Sequence, residues 1–174
     1  MPPLDNLQHE IDQRVNDIQS NHPNWLCRKG CDGCCKRLAD IPKITSAEWQ
    51  RLEQGLARLP KPILTMIKSR FDVMALDTDR PLTCPMLDRS IGACRVYNYR
   101  PIACRTYGFY VQRDKGLYCH DIEVEVSEGR LDQVLWGHQD SVERRLKALG
   151  DSLEMTEWFS QSKTLHDLID FNPR

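Results

Sequence analysis

The stretch Cys27-Arg28-Lys29-Gly30-Cys31-Asp32-Gly33-Cys34-Cys35 places four of the chain's eight cysteines within nine residues. Two glycines lie between them, and glycine lets a short loop turn tightly enough to aim several sulfurs inward. Thiolates packed this densely repel one another unless something positive holds them. The usual holders are a metal ion or an iron–sulfur cluster. The other four cysteines, Cys84, Cys94, Cys104 and Cys119, are separated by 9, 9 and 14 residues.

Eight thiols are what two tetrahedral metal sites, or two four-iron clusters, require. Side chains of adjacent residues tend to point apart. The doublet Cys34-Cys35 is therefore expected to split between two nearby sites, or to leave one sulfur outside the ligand set. The long gaps after Cys35 mean that metal binding ties the early loop to later chain, which makes binding part of the folding energy. Replacing Cys104 should then lower metal content and loosen the loop together. A disulfide scaffold is the bland alternative, but the chain is long for that class. Packing alone does not account for so dense a cluster. Cys31-Asp32-Gly33-Cys34 has the Cys-x-x-Cys form of a redox dithiol, without the βαβ pattern that surrounds one in thioredoxin-like proteins.

At 174 residues the chain is long enough for one domain with a real core, and 1–174 is read as a single domain. Within it the metal-binding core is expected over about residues 25–120, followed by a helical region over 130–174. No run of about 18 apolar residues suggests a membrane span. The first ten residues have neither a basic start nor an apolar segment, so no Sec signal peptide is expected. The reducing cytoplasm is the expected compartment, where cysteines usually serve metal or redox chemistry. The net charge of −1 hides a basic middle. Residues 27–115 hold 17 Lys and Arg against 9 Asp and Glu. Because Arg28, Lys29, Lys36, Arg37, Arg95 and Arg105 interleave with the cysteines, compensation of thiolate charge is favoured over a nucleic-acid surface.

Hydrophobic periodicity predicts a helix over residues 4–19, with Leu4, Leu7, Ile11, Val15 and Ile18 on one face. Trp25 should anchor the loop that follows. Thr45-Ser46-Ala47-Glu48 is a capping box opening a second helix, and Pro60-Lys61-Pro62 separates it from a third over 63–75. Cys84 to Tyr97 reads as a β-hairpin, with one helical turn after Pro101. Ile122, Val124 and Val126 alternate with Glu and suggest an edge strand. A helix is expected over 131–149, with His138 on its apolar face, and two weaker turns around 155–159 and 165–169. The fold class is α+β, mainly α-helical, with a small irregular cysteine-rich metal centre and a short β-hairpin covered by helices.

Cys27-x3-Cys31-x2-Cys34 also matches the cluster triad of radical-SAM enzymes, but the chain lacks their alternating β and α units. A closer resemblance covers about Trp25 to His120. The pattern Cys27-x3-Cys31-x2-Cys34-Cys35, Cys84-Pro85-x-Leu87, Gly92-x-Cys94-x-Val96-Tyr97-x-x-Arg100-Pro101-x-x-Cys104-Arg105 and Cys119 resembles the bacterial YkgJ-type cysteine-cluster family, CxxxCxxCC. Its members are described as zinc- or iron-chelating and are mostly uncharacterised. A similar cluster occurs in flagellin lysine N-methylases, which are larger. The resemblance implies metal or iron–sulfur binding by Cys27, Cys31, Cys34, Cys35, Cys84, Cys94, Cys104 and Cys119. It implies no substrate.

Spacing leans towards an iron–sulfur cluster over zinc, because only one clean Cys-x2-Cys pair exists and Cys84-Pro85 has a ferredoxin flavour. Arg100 and Arg105 flank Cys104 and could hydrogen-bond thiolates or an anionic substrate, or form ordinary salt bridges. Tyr97, Tyr99, Tyr107 and Tyr110 read as aromatic core, and His120 as a less favoured extra ligand. The reading that follows is a cytoplasmic metal-binding protein for electron transfer or metal handling, with an unidentified protein or small-molecule partner and no membrane. A metal-dependent enzyme of group-transfer or redox type, with a pocket near Arg100 and Arg105, is the alternative. A nucleic-acid module using the basic middle is the third.

Overall fold

A computed structural model describes residues 3–113 and 115–171. In chain order its helices are α1 (Pro3–Asn21), α2 (Gly33–Lys36), α3 (Ser46–Leu56), α4 (Lys61–Leu76), α5 (Ile102–Thr106), α6 (His120–Ser127), α7 (Gln139–Lys147), α8 (Met155–Gln161) and α9 (Lys163–Asp170). The strands are short: β1 (Lys43–Thr45), β2 (Leu87–Asp88), β3 (Ala93–Cys94), β4 (Tyr110–Gln112), β5 (Lys115–Leu117), β6 (Gly137–His138) and β7 (Ser152–Glu154). The fold is α+β and mainly helical, as the sequence pattern indicates. Its contacts divide the chain into two compact units, Met1–Cys31 with Ile102–Gly150, and Asp32–Pro101 with Asp151–Arg174.

In the first unit α1 buries Leu4, Leu7, Ile11 and Ile18, the stripe expected from steps of three and four. It packs against α5 and α7. Strands β4 and β5 form an antiparallel hairpin, and β6 joins β4 in parallel with Tyr110 opposite Gly137. Trp25 is buried as anticipated, its ring 5.8 Å from Phe109 and 5.5 Å from Trp136.

Two expectations fail in this unit. Residues 120–127 form α6 rather than an edge strand, and only Ile122 of its apolar residues is buried. The helix expected over 131–149 is confined to α7, because the Gly137–His138 segment pairs with β4 instead. His138 is consequently exposed at the start of α7 and is not a core histidine.

The second unit has a continuous core of Trp49, Leu52 and Leu56 from α3, Leu64, Ile67 and Phe71 from α4, and Phe159 from α8. Phe71 and Phe159 stack at 4.5 Å between centroids. The capping box of α3 is formed: the Glu48 amide donates to Thr45 Oγ1 at 3.3 Å, and the Thr45 amide donates to Glu48 Oε2 at 2.9 Å. Strands β1 and β7 pair antiparallel, Ile44 opposite Leu153. The tail segments that read as weak turns are α8 and α9, and they supply Met155, Phe159 and Leu165 to the core.

Candidate metal centre

The second unit gathers four of the predicted cysteines by backbone pairing. Helix α2 is a single turn carrying Cys34 and Cys35, steadied by a Lys36–Asp32 ion pair at 2.7 Å. Beyond it, Leu38 and Leu82 exchange amide hydrogen bonds of 2.9 Å, which brings residues 82–84 alongside. The Cys84 amide then donates to the Cys35 carbonyl at 2.7 Å. The Leu87 amide donates to the Cys84 carbonyl at 3.1 Å, opening the expected hairpin, in which Leu87 of β2 faces Cys94 of β3. An ion pair between Arg95 and Asp88 at 3.0 Å ties its two strands.

The Cys35 thiol lies close enough to those of Cys34 and Cys84 for both to act on its ionisation. Cys84 is buried, while Cys34, Cys35 and Cys94 are half-buried. The hydrogen bond to Cys35, then burial, then repulsion from Cys35 push the Cys34 thiol far up. Cys35 is pulled down by its bond to Cys34, but the bond to Cys84 and burial outweigh it and push it up to about 11. Burial above all raises Cys94 to about 11. The charge of Arg100 acts against these shifts at Cys34, Cys35 and Cys94. Its guanidinium stacks 3.4 Å from the Tyr97 ring centroid, and its Nε donates to the Tyr97 carbonyl at 2.9 Å. Arg100 thus places a positive charge near three thiols.

Arg105 forms the ordinary salt bridge that the sequence allowed. Its Nη1 donates to both Asp12 carboxylate oxygens, at 2.9 and 3.0 Å, and so ties α5 to α1 within the first unit. That unit holds the remaining cysteines. The Cys27 thiol donates to the Tyr107 carbonyl at 3.5 Å, and Gln19 Nε2 donates to the Cys27 carbonyl at 3.1 Å. Gly108 lies directly over Cys27, at φ +89°. A Cβ there would stand 2.7 Å from the sulfur, so only glycine allows this approach. Cys31 is exposed, its amide closing a tight turn onto the Arg28 carbonyl at 3.0 Å. Cys104 lies on α5 and Cys119 is the N-cap residue just before α6.

None of the eight cysteines is joined in a disulfide. Among the described residues, no three His, Cys, Asp or Glu side chains stand ready-arranged around a point where an ion would bind. The donor chemistry fits zinc or iron all the same: four soft sulfur donors lie in one unit with a cation beside them.

His120, considered as an extra ligand, is 79% exposed and faces Glu123 at 3.8 Å. A pocket of about 430 Å³ in the first unit is lined by Trp25, His22, Glu125 and Arg130 among others, and Arg105 does not line it. The sequence reading missed Tyr107 and Gly108 as the seat of Cys27. The Gly-containing, aromatic segment that follows Cys104 was the available signal.

A family model, CxxCxxCC, described as "Putative zinc- or iron-chelating domain", matches residues 26–139. That span contains all eight cysteines. No curated protein and no solved structure matches the chain.

Proposed function

We propose that this chain, which belongs to the CxxCxxCC family, holds iron–sulfur clusters or zinc on its eight cysteines and serves electron transfer or metal handling. The observation that carries the reading is the meeting of Cys34, Cys35, Cys84 and Cys94 beside Arg100. Four thiols of one unit with a neighbouring cation would, once gathered on an ion, make a centre closed by its own ligands. Closed four-sulfur sites suit structural and electron-transfer roles, whereas catalytic metal sites keep a position open for substrate. The crowded Cys-x3-Cys-x2-Cys-Cys spacing favours iron–sulfur, which when bound supplies one-electron transfer. The reducing cytoplasm is the compartment that would keep such thiols available.

A metal-dependent enzyme has less support. Arg105 is paired with Asp12, and Arg100 is stacked on Tyr97. The deciding experiment is anaerobic purification followed by elemental analysis and a visible absorption spectrum. Iron with inorganic sulfide and a broad visible absorption is the expected result. Colourless protein with stoichiometric zinc would replace iron–sulfur by zinc. Freshly prepared, reduced protein without any metal would defeat the proposal.

A further inference from the structure

The division of the chain falls inside the cysteine stretch, between Cys31 and Asp32. It leaves Cys27, Cys31, Cys104 and Cys119 in the first unit and Cys34, Cys35, Cys84 and Cys94 in the second. Each unit therefore draws two cysteines from the nine-residue stretch and two from later chain. Four thiolates complete one tetrahedral ion or one four-iron cluster.

Resting on the metal-binding reading above, we infer that the eight cysteines form two separate centres, one within each unit, and that both sulfurs of the doublet Cys34-Cys35 belong to the same one. The second unit argues this through its pairings. Cys84 is bonded to Cys35 through the backbone, and Cys94 stands opposite Leu87 on the hairpin that Cys84 opens. The doublet sits on the short helical turn α2, where successive side chains are about 100° apart rather than on opposite faces. The expectation that the doublet splits assumes an extended chain, where neighbours point to opposite faces.

The first unit argues it through convergence on Cys27. The Cys27 sulfur lies on the Tyr107 carbonyl and against Gly108. Tyr107 continues directly from α5, which carries Cys104, and its amide donates to the Ala103 carbonyl at 3.2 Å. The Gly108 amide donates to the Leu117 carbonyl at 2.6 Å, and Leu117 leads through Tyr118 to Cys119. Cys27 thus sits where the chain leaving Cys104 meets the chain entering Cys119. Cys31 follows Cys27 on the same loop, its amide closing a turn onto the Arg28 carbonyl.

The test combines metal content with thiol footprinting. Protein purified anaerobically is assayed for metal and alkylated with iodoacetamide, before and after stepwise removal of metal with a chelator. Each cysteine is then located by mass spectrometry. The same measurements are made on Cys94→Ser and on Cys104→Ser, with circular dichroism as the check on folding. Cys94→Ser should lose about half the metal and open Cys34, Cys35 and Cys84 while the first-unit cysteines stay protected. Cys104→Ser should do the reverse, opening Cys27, Cys31 and Cys119. A folded variant of either kind that opens all eight, or in which Cys34 and Cys35 fall into different groups, would overturn the two-centre assignment while leaving metal binding intact. Wild-type protein with no metal and eight reactive thiols would overturn the metal reading itself.

Discussion

Gly108→Ala tests how the fold holds Cys27. The substitution does two separable things. It forces a Cβ onto a residue at φ +89°, a left-handed conformation that costs an L-residue roughly 1–2 kcal/mol. It also drives that Cβ to 2.7 Å from Cys27 Sγ and 2.9 Å from Cys27 Cβ. Carbon contacts are at rest near 3.5–4.0 Å, so Cys27 must retreat by about 1 Å, an overpacking that typically costs about 1–3 kcal/mol. The sum is about 2–5 kcal/mol, a large part of a typical domain's stability. Gly30→Ala is the internal control, because Gly30 lies at φ +98° with nothing within 4 Å of the added Cβ. It should cost the backbone strain alone. The assay is urea unfolding of the reduced, metal-free proteins, followed by circular dichroism at a common m-value. A double variant, Gly108→Ala with Cys27→Gly, should recover about 1–3 kcal/mol of coupling by removing both clashing atoms. If Gly108→Ala is no more damaging than Gly30→Ala, Cys27 is not held as described.

Phe71→Ala should lower stability by about 3–5 kcal/mol, since the ring is only 2% exposed and stacks on Phe159; a loss below about 1 kcal/mol would show that this core is not formed. Thr45→Ala should cost about 0.5–2 kcal/mol by removing the cap on the Glu48 amide, with little change if the capping box is absent in solution. In metal-free protein Cys35 and Cys94, pushed up to about 11, should alkylate about 100-fold more slowly at pH 8 than the same thiols in urea, where the ordinary value of 9.0 applies. The sign for stability follows: the unfolded chain ionises first, so metal-free protein should lose stability as pH rises from about 9 to 11, and a gain over that range would contradict the shift. Removing metal should speed hydrogen exchange at the Cys84 and Gly108 amides more than at amides of the β1–β7 ladder, and a uniform acceleration would count against local anchoring by metal.

What was legible in the sequence was what depends on near neighbours. Leu4, Leu7, Ile11 and Ile18 repeat at helical spacing and are all buried on one face of α1. Thr45 and Glu48 carry a capping box whose chemistry is complete within four residues. The hairpin joining β2 and β3 is closed around a Gly92 with φ +60°. Longer-range pairing overrode the pattern elsewhere. Ile122, Val124 and Val126 alternate, yet the segment is helical, with Asp121 and Glu123 favourably placed in its first turn. The apolar positions of 131–138 read as helix, but Gly137 lies under the Tyr110 ring, where any Cβ would approach to 2.3 Å, and the strand addition wins. Leu135 is left 75% exposed as a result. The roles of Arg100 and Arg105 were likewise invisible, because the partner that decides one, Asp12, lies at the far end of the sequence.

The cysteine stretch is also a crossing point between units, and this bears on why it is so dense. Neither unit is continuous: the chain passes between them after Cys31, after Pro101 and after Gly150. Units assembled from distant segments must close long stretches of chain before their contacts reward the closure. At the first crossing, Cys31 is the last residue of one unit, and Cys34 and Cys35 follow almost at once in the other. At the second, Cys94 precedes the crossing and Cys104 follows it closely. A metal centre in each unit would therefore pin the chain on both sides of two of its three crossings. Four sulfurs within nine residues would then serve as two pairs of anchors, each pair in its own unit, with the doublet as the first fixed point after the crossing.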